Sequence, residues 1–193
     1  MSRTVALVVI DMQNDFVLPG APACVAGALP TVPTIRCLLD KARSEGWAIF
    51  HVVRAHRPDG SDVERTRAPL FKGGQGLCVE GSTGADIVAG LEPLPGEYRI
   101  VKHRYSAFMG TEFDAMLRRL GVETLVVAGT QYPNCVRGTA VDGFALDYQV
   151  VVVTDACSAQ SEAVAQANIH DMRTMGMACV PLAELDGVLP VKG

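Results

Sequence analysis

In the stretch Thr124-Leu-Val-Val-Ala-Gly-Thr-Gln-Tyr-Pro-Asn-Cys-Val-Arg-Gly-Thr139, residues Leu125 to Ala128 form a short apolar run, the pattern of a buried parallel strand. Gly129 interrupts the run, and a polar turn with Tyr132, Pro133 and Asn134 follows. A helical pattern then begins near Asn134 and continues through Val136, Ala140, Val141, Phe144 and Leu146. Cys135 therefore falls where a strand has ended and a helix is starting. A thiol there faces unsatisfied backbone N–H groups and the positive end of a helix dipole, which lower its pKa. The plain alternative is an ordinary buried thiol, a common state for a cysteine.

The same alternation of short apolar runs and amphipathic segments extends in both directions. Thr4 to Ile10 reads as the first strand, Pro33 to Ser44 as a helix with Gly46 beyond its end, and Trp47 to Val53 as the second strand. Positions 54–84 are polar and rich in Gly and Pro, long for a connection, and loops of that length tend to be functional or flexible. Ala85 to Ala89 predicts a short helix and Tyr98 to Val101 the third strand. Thr111-Glu-Phe-Asp114 resembles a capping box opening a helix that runs through Leu120 and ends at Gly121. Gln149 to Val153, Ser161 to Met175 and Met177 to Val180 predict strand, helix and strand. No repeat, low-complexity tract or linker divides the chain, so the expectation is one domain over residues 1–193. Strictly alternating β and α elements imply an α/β fold with a parallel sheet and right-handed crossovers. In such sheets ligands bind outside the carboxyl ends of the strands.

Bulk properties narrow the function. With a net charge of −4 and no dense basic stripe, the chain is an unlikely partner for nucleic acid or an anionic membrane. The N-terminal apolar run stops at Asp11, too short for a signal-peptide core, and no stretch approaches a membrane span. The six cysteines, at 24, 37, 78, 135, 157 and 179, form no C-x-x-C pair, so they read as reduced thiols in a cytoplasmic protein.

The reactive side chains at the predicted strand ends are Asp11 after the first, Lys102 after the third and Cys135 after the fourth. Taken singly, Asp11 could be a cap and Lys102 a solvated lysine. Together they form a plausible nucleophilic site. A free cysteine is only a few per cent thiolate at neutral pH, and a two-unit reduction in pKa is worth about 2.7 kcal/mol. A helix N-terminus and a nearby ammonium could supply that much. Asp11 could take the thiol proton and return it to a leaving amine, while turn N–H groups hold the oxyanion.

Three segments, Ala6-Leu-Val-Val-Ile-Asp-Met-Gln-Asn-Asp-Phe16, Lys102-His-Arg-Tyr-Ser-Ala-Phe108 and Val127-Ala-Gly-Thr-Gln-Tyr-Pro-Asn-Cys-Val136, carry a family resemblance. In this order they resemble the isochorismatase-like cysteine hydrolases, the superfamily of nicotinamidases, N-carbamoylsarcosine amidase and related amidohydrolases. The resemblance implies a three-layer α/β/α fold with a six-stranded, Rossmann-like parallel sheet of order 3-2-1-4-5-6. It implies a catalytic triad of Cys135 as nucleophile, Asp11 as general base and acid, and Lys102 as the cation that lowers the thiol pKa. It also implies a non-proline cis peptide at Thr130–Gln131, aiming the backbone N–H groups of Gln131 and Cys135 at an oxyanion; Pro133 offers a competing site for a cis bond. Phe16 and Tyr132 would wall the substrate pocket, unless they simply pack the core. A small-molecule amide as substrate and a homo-oligomer, dimer or tetramer, are further implications.

In that strand order the third strand lies two places from the first, roughly 10 Å away. Lys102 then reaches Asp11 only if its loop leans back over the sheet, with Tyr105 to Phe108 supplying the turn. Nicotinamidases resemble one another in an Asp-x-His pair after the second strand that binds a metal. Here the place reads Arg54-Ala55-His56, so the expectation is no cofactor, no catalytic metal and no nicotinamidase activity. Arg54 and Arg57 could bind a substrate carboxylate, although pairing with Asp59 or Asp62 competes, and His56 reads as a hydrogen-bonding residue. Cys157 and Cys179, in or beside apolar strands, read as inert, and Asp155 as a cap. The leading expectation is a metal-independent cysteine hydrolase that cleaves a C–N bond through a thioester. Its rivals are vinyl-ether hydrolysis, as in isochorismatases, which usually lack the cysteine, and a catalytically silent interaction module.

Overall fold

The computed structural model describes residues 4–74 and 76–190; Met1 to Arg3, where the N-terminal run begins, lie outside the described residues. The strands are β1 (Thr4–Ile10), β2 (Ala48–Arg54), β3 (Tyr98–Lys102), β4 (Val122–Thr130), β5 (Gln149–Ser158) and β6 (Ala178–Val180). All pair in parallel, in the order β3-β2-β1-β4-β5-β6. The helices are α1 (Asn14–Val17), α2 (Val32–Glu45), α3 (Ala68–Lys72), α4 (Phe113–Arg119), α5 (Arg137–Ala145) and α6 (Glu162–Thr174).

Period-two alternation along the strands builds two cores. Val5, Leu7 and Val9 of β1 join Val126 and Ala128 of β4 beneath Ile35, Leu38 and Leu39 of α2. Ala6, Val8 and Ile10 point the other way and join Leu125 and Val127, covered by Phe113 of α4, Ala140 of α5 and Met172 of α6. Both faces of the sheet are therefore dry, which is why its strands read as unbroken apolar runs. The chain leaves β1 toward β2 and β3, then returns to β4 on β1's other side. That reversal opens a crevice at the carboxyl ends of β1 and β4.

Several local expectations change. Gly129 does not end β4; with φ of 119° it carries the strand on to Thr130. A Cβ at this position would lie 2.1 Å from the Ile10 carbonyl oxygen, so glycine is what lets β4 lie against β1. β5 runs on to Ser158, and its register with β4 slips between Val127 and Gly129. Ala85–Ala89 is not helical: a single 3-10 turn covers Thr83–Ala85, and Ile87 bridges Gln13 instead. The capping box is half formed. Thr111 Oγ1 accepts the Phe113 N–H, but Asp114 turns to Tyr148 and Arg118.

The 54–84 segment is built onto the sheet. Val79 bridges His56, and the His56 N–H donates to the Cys78 carbonyl at 2.8 Å. Asp15 Oδ2 accepts the Cys78 N–H at 2.6 Å, and Asn14 Nδ2 donates to the Thr83 carbonyl at 2.8 Å. Gln13 clamps both ends. Its Oε1 accepts the Arg54 N–H, and its Nε2 donates to the Arg54 and Ala85 carbonyls, all at 2.7 Å. Residues 13–15 thus pin the long loop across the crevice.

Candidate active site

Asp11 follows the last residue of β1 with φ of 51°, a left-handed conformation that Asp adopts more readily than most residues. Its own N–H still donates to the Val52 carbonyl, so the turn is anchored as the side chain rises above the sheet. Lys102 is the last residue of β3 and pairs in register with Arg54 of β2. Its four-carbon stem crosses the end of β2, and Nζ donates to Asp11 Oδ2 at 2.7 Å. The lysine spans the gap from the strand itself. The following loop contributes one contact, the Arg104 carbonyl, 3.2 Å from Nζ.

Cys135 sits in a wide π-type turn, Tyr132–Val136, between β4 and α5. The peptide Thr130–Gln131 is cis. The Gln131 carbonyl accepts N–H groups from Asn134 and Val136, which closes the turn around Cys135.

Arg54 joins the site from β2. Its Nη2 lies 3.9 Å from Cys135 Sγ and its Nε 3.8 Å from Asp11 Oδ2. The guanidinium fork grips Glu64 with both arms, Nη2 to Oε1 at 2.9 Å and Nη1 to Oε2 at 3.2 Å. Of the acids in the long loop, Glu64, and not Asp59 or Asp62, is therefore its partner; Arg57 is the residue near Asp59. The ring of Tyr105 lies beneath the Arg54 guanidinium at 5.6 Å. His56 Nε2 is 3.4 Å from Arg54 Nη1, while Asp62 stands between His56 and His103.

The electrostatics depart from the expectation of a thiol poised as thiolate. Burial raises the Cys135 pKa and the Asp11 carboxylate adds to the rise, whereas Lys102 and Arg54 lower it; the net direction is upward. The resting thiol keeps its proton. Asp11 Oδ1 is buried without a hydrogen-bond partner, an acceptor open for that proton. For Arg54 burial would weaken the charge, but the Asp11 and Glu64 carboxylates more than compensate and keep it cationic. His56 is pushed down to about 4 by burial and by Arg54, so it is neutral at pH 7. Among the described residues no group of three or more His, Cys, Asp or Glu side chains could hold a metal ion.

The side chains are sealed in, with Arg54 and Lys102 at 0%, Asp11 at 1% and Cys135 at 5% exposure. Just outside, an open cleft of about 380 Å³ is lined by Glu64, Tyr105 and Arg104 among others. Phe16 and Tyr132 do not line this cleft, although Tyr132 shares a turn and a buried cluster with Cys135. Phe16 packs in the α2-side core, and Tyr132 donates to the Thr154 carbonyl and lines a separate cavity of about 580 Å³ beside α6. Cys157 and Cys179 are buried thiols, with pKa values raised chiefly by burial. Asp155 accepts the Leu182 N–H at 2.9 Å. Sequence reasoning overlooked Gln13 and Glu64. Gln13 lies inside the Asp11–Phe16 motif and could have been found there. Glu64 lies in aperiodic polar sequence with no signal.

A family model described as the isochorismatase domain matches residues 5–184. A protein of Arabidopsis thaliana named a probable inactive nicotinamidase is 42% identical over 185 residues, which are 94% of each chain. A ureidoacrylate amidohydrolase RutB of Caulobacter vibrioides is 32% identical over 174 residues, 80% of this chain and 76% of that one. The crystal structure of an isochorismatase family protein from Desulfovibrio vulgaris superposes with a TM-score of 0.95 at 70% identity, covering 96% of this chain and 98% of that one. With a six-stranded sheet in the expected order and a family match over nearly its whole length, this chain belongs to the isochorismatase family of hydrolase-like proteins.

Proposed function

We propose that this chain is a cysteine hydrolase that cleaves a C–N bond of a small amide or carbamoyl compound, without a metal. The observation that carries this reading is the Lys102–Asp11 ion pair at 2.7 Å, sharing its carboxylate oxygen with Arg54, which touches the Cys135 sulfur. Asp11 accepts the thiol proton as Sγ attacks the carbonyl carbon. The N–H groups of Gln131 and Cys135 hold the oxyanion. Collapse of the adduct breaks the C–N bond, and Asp11 returns the proton to the leaving nitrogen as ammonia or an amine departs. Water, deprotonated by Asp11, then attacks the thioester, and Cys135 recovers its proton as the acid leaves. Because the resting thiol is protonated, deprotonation accompanies attack, which gives Asp11 a general-base role.

The amidohydrolase named among the relatives supports the reaction class. The Arabidopsis name concerns nicotinamidase activity in that protein. For this chain a cation at Arg54, where nicotinamidases resemble one another in a metal-binding Asp, argues against nicotinamide as substrate. Cytoplasmic location, on the unpaired spacing of the six cysteines, and homo-oligomerisation, on family resemblance, belong to the same proposal.

A silent interaction module is the competing reading, favoured by the sealed, protonated thiol. Ammonia release across a panel of small amides and carbamoyl compounds separates the two, with Cys135→Ala as control. Turnover abolished by the substitution in a folded protein supports the hydrolase. Full activity in Cys135→Ala ends the proposal.

A further inference from the structure

We propose that Arg54 is the receptor for a carboxylate on the substrate, and that Glu64 is an internal carboxylate holding that place until an acidic substrate displaces it. This deepens the hydrolase reading and rests on it. The substrate class becomes small amides or carbamoyl compounds that carry a carboxylate a few bonds from the scissile carbonyl, because the fork and the sulfur are only 3.9 Å apart.

Four observations converge. First, the fork of Arg54 is aligned for a two-oxygen acceptor, and both Glu64 oxygens already occupy it. Second, Glu64 stands where the outer cleft meets the sealed thiol. It lines the cleft and grips Arg54, whose other neighbours are Asp11 and Cys135. Anything reaching Sγ from the cleft by this side must move Glu64.

Third, the exchange conserves charge. Lys102 and Arg54 face Asp11 and Glu64, two cations against two anions, so replacing one carboxylate by another never leaves a buried cation unpaired. A neutral substrate that displaced Glu64 would leave Arg54 and Lys102 sharing the single Asp11 carboxylate, and this is the basis of selectivity. Fourth, Glu64 has somewhere to go. Arg67 Nε lies 3.6 Å from Oε2, and Arg67 Nη1 is buried without a hydrogen-bond partner. Glu64 itself is partly exposed and sits on the segment between β2 and β3, so its side chain can swing toward Arg67 while the backbone stays held.

Paired alkylation of Cys135 tests this, with site occupancy read by mass spectrometry. Iodoacetamide, which is neutral, reports whether the thiol is reactive and so bears on the hydrolase reading. The rate ratio of iodoacetate to iodoacetamide, normalised to that of a small free thiol, reports the carboxylate receptor. A wild-type ratio above the free-thiol ratio is expected. Glu64→Gln should raise it about tenfold, the scale of a charge-assisted hydrogen bond. Arg54→Lys, which keeps the charge but loses the fork, should return it toward the free-thiol value. A ratio equal to the free thiol in both wild type and Glu64→Gln overturns the proposal, and so does an Arg54→Lys ratio as high as wild type. If neither reagent labels Cys135, calorimetric titration of malonate into Cys135→Ser decides. Binding that tightens with Glu64→Gln and disappears with Arg54→Lys supports the receptor, and no binding in any variant overturns it.

Discussion

Lys102 Nζ and Asp11 Oδ2 meet at 2.7 Å although the strands that carry them are separated by β2. Both groups are buried, so neither charge is tolerable without the other. Asp11→Asn should therefore destabilise the fold by about 3–5 kcal/mol, lowering Tm by roughly 10 °C for a chain of this size. It should also reduce turnover by about 10²–10⁴. Asp11→Asn combined with Lys102→Met should regain most of the Tm and none of the activity. A double variant no more stable than Asp11→Asn would show that the pairing is not what stabilises the site.

Gln13 makes three hydrogen bonds to the backbone at both ends of the long loop. Gln13→Leu leaves buried N–H and C=O groups unpaired, each costing about 1–3 kcal/mol. The expected result is faster proteolytic cleavage within residues 57–84 and a lower Tm, with Arg54 less well aimed. Unchanged cleavage would separate the loop from this clamp.

Gly129 and Gly46 both have positive φ, but only Gly129 faces backbone. Gly129→Ala should push β4 off β1 and cost more than ~4 kcal/mol, or prevent folding. Gly46→Ala, with nothing within 4 Å of the new Cβ, should cost only about 1–2 kcal/mol, the left-handed penalty alone. Equal effects in thermal melts would remove the close approach as the cause.

His51 and His56 are both held below their ordinary pKa first of all by burial, His56 at about 4. Between a pH of about 6.5 and that lowered value the unfolded chain binds more protons than the fold. Their contribution to stability is thus complete above about pH 6.5 and is lost as pH falls toward 4. Tm measured at pH 7.5 and pH 5 should drop, and His56→Gln should flatten the drop. Parallel wild-type and variant curves would exclude His56 as a source.

The positions of Asp11, Lys102 and Cys135 were legible because each side chain stands at the end of a strand that advertises itself as an apolar run, whereas the sheet order followed from the resemblance of three motifs to a known family. Strand ends converge by topology, so naming the ends names the site. Gln13 was half legible: its motif was recognised, but a side chain that bonds backbone at positions 54 and 85 leaves no periodic trace. Glu64 was not legible at all, and Arg54 was matched with the wrong acids, since partners ten residues apart in an irregular segment are chosen by how that segment folds over the crevice. The sign of the Cys135 pKa belongs to the same class. Helix position and a nearby lysine predicted a lowered value, yet burial beneath the loop and the adjoining Asp11 charge outweigh both. Sequence alone determined which reactive groups this protein brings to the crevice. Tertiary structure decided their protonation and their partners, because desolvation and charge pairing depend on what covers a site, and that cover is supplied by chain with no pattern of its own.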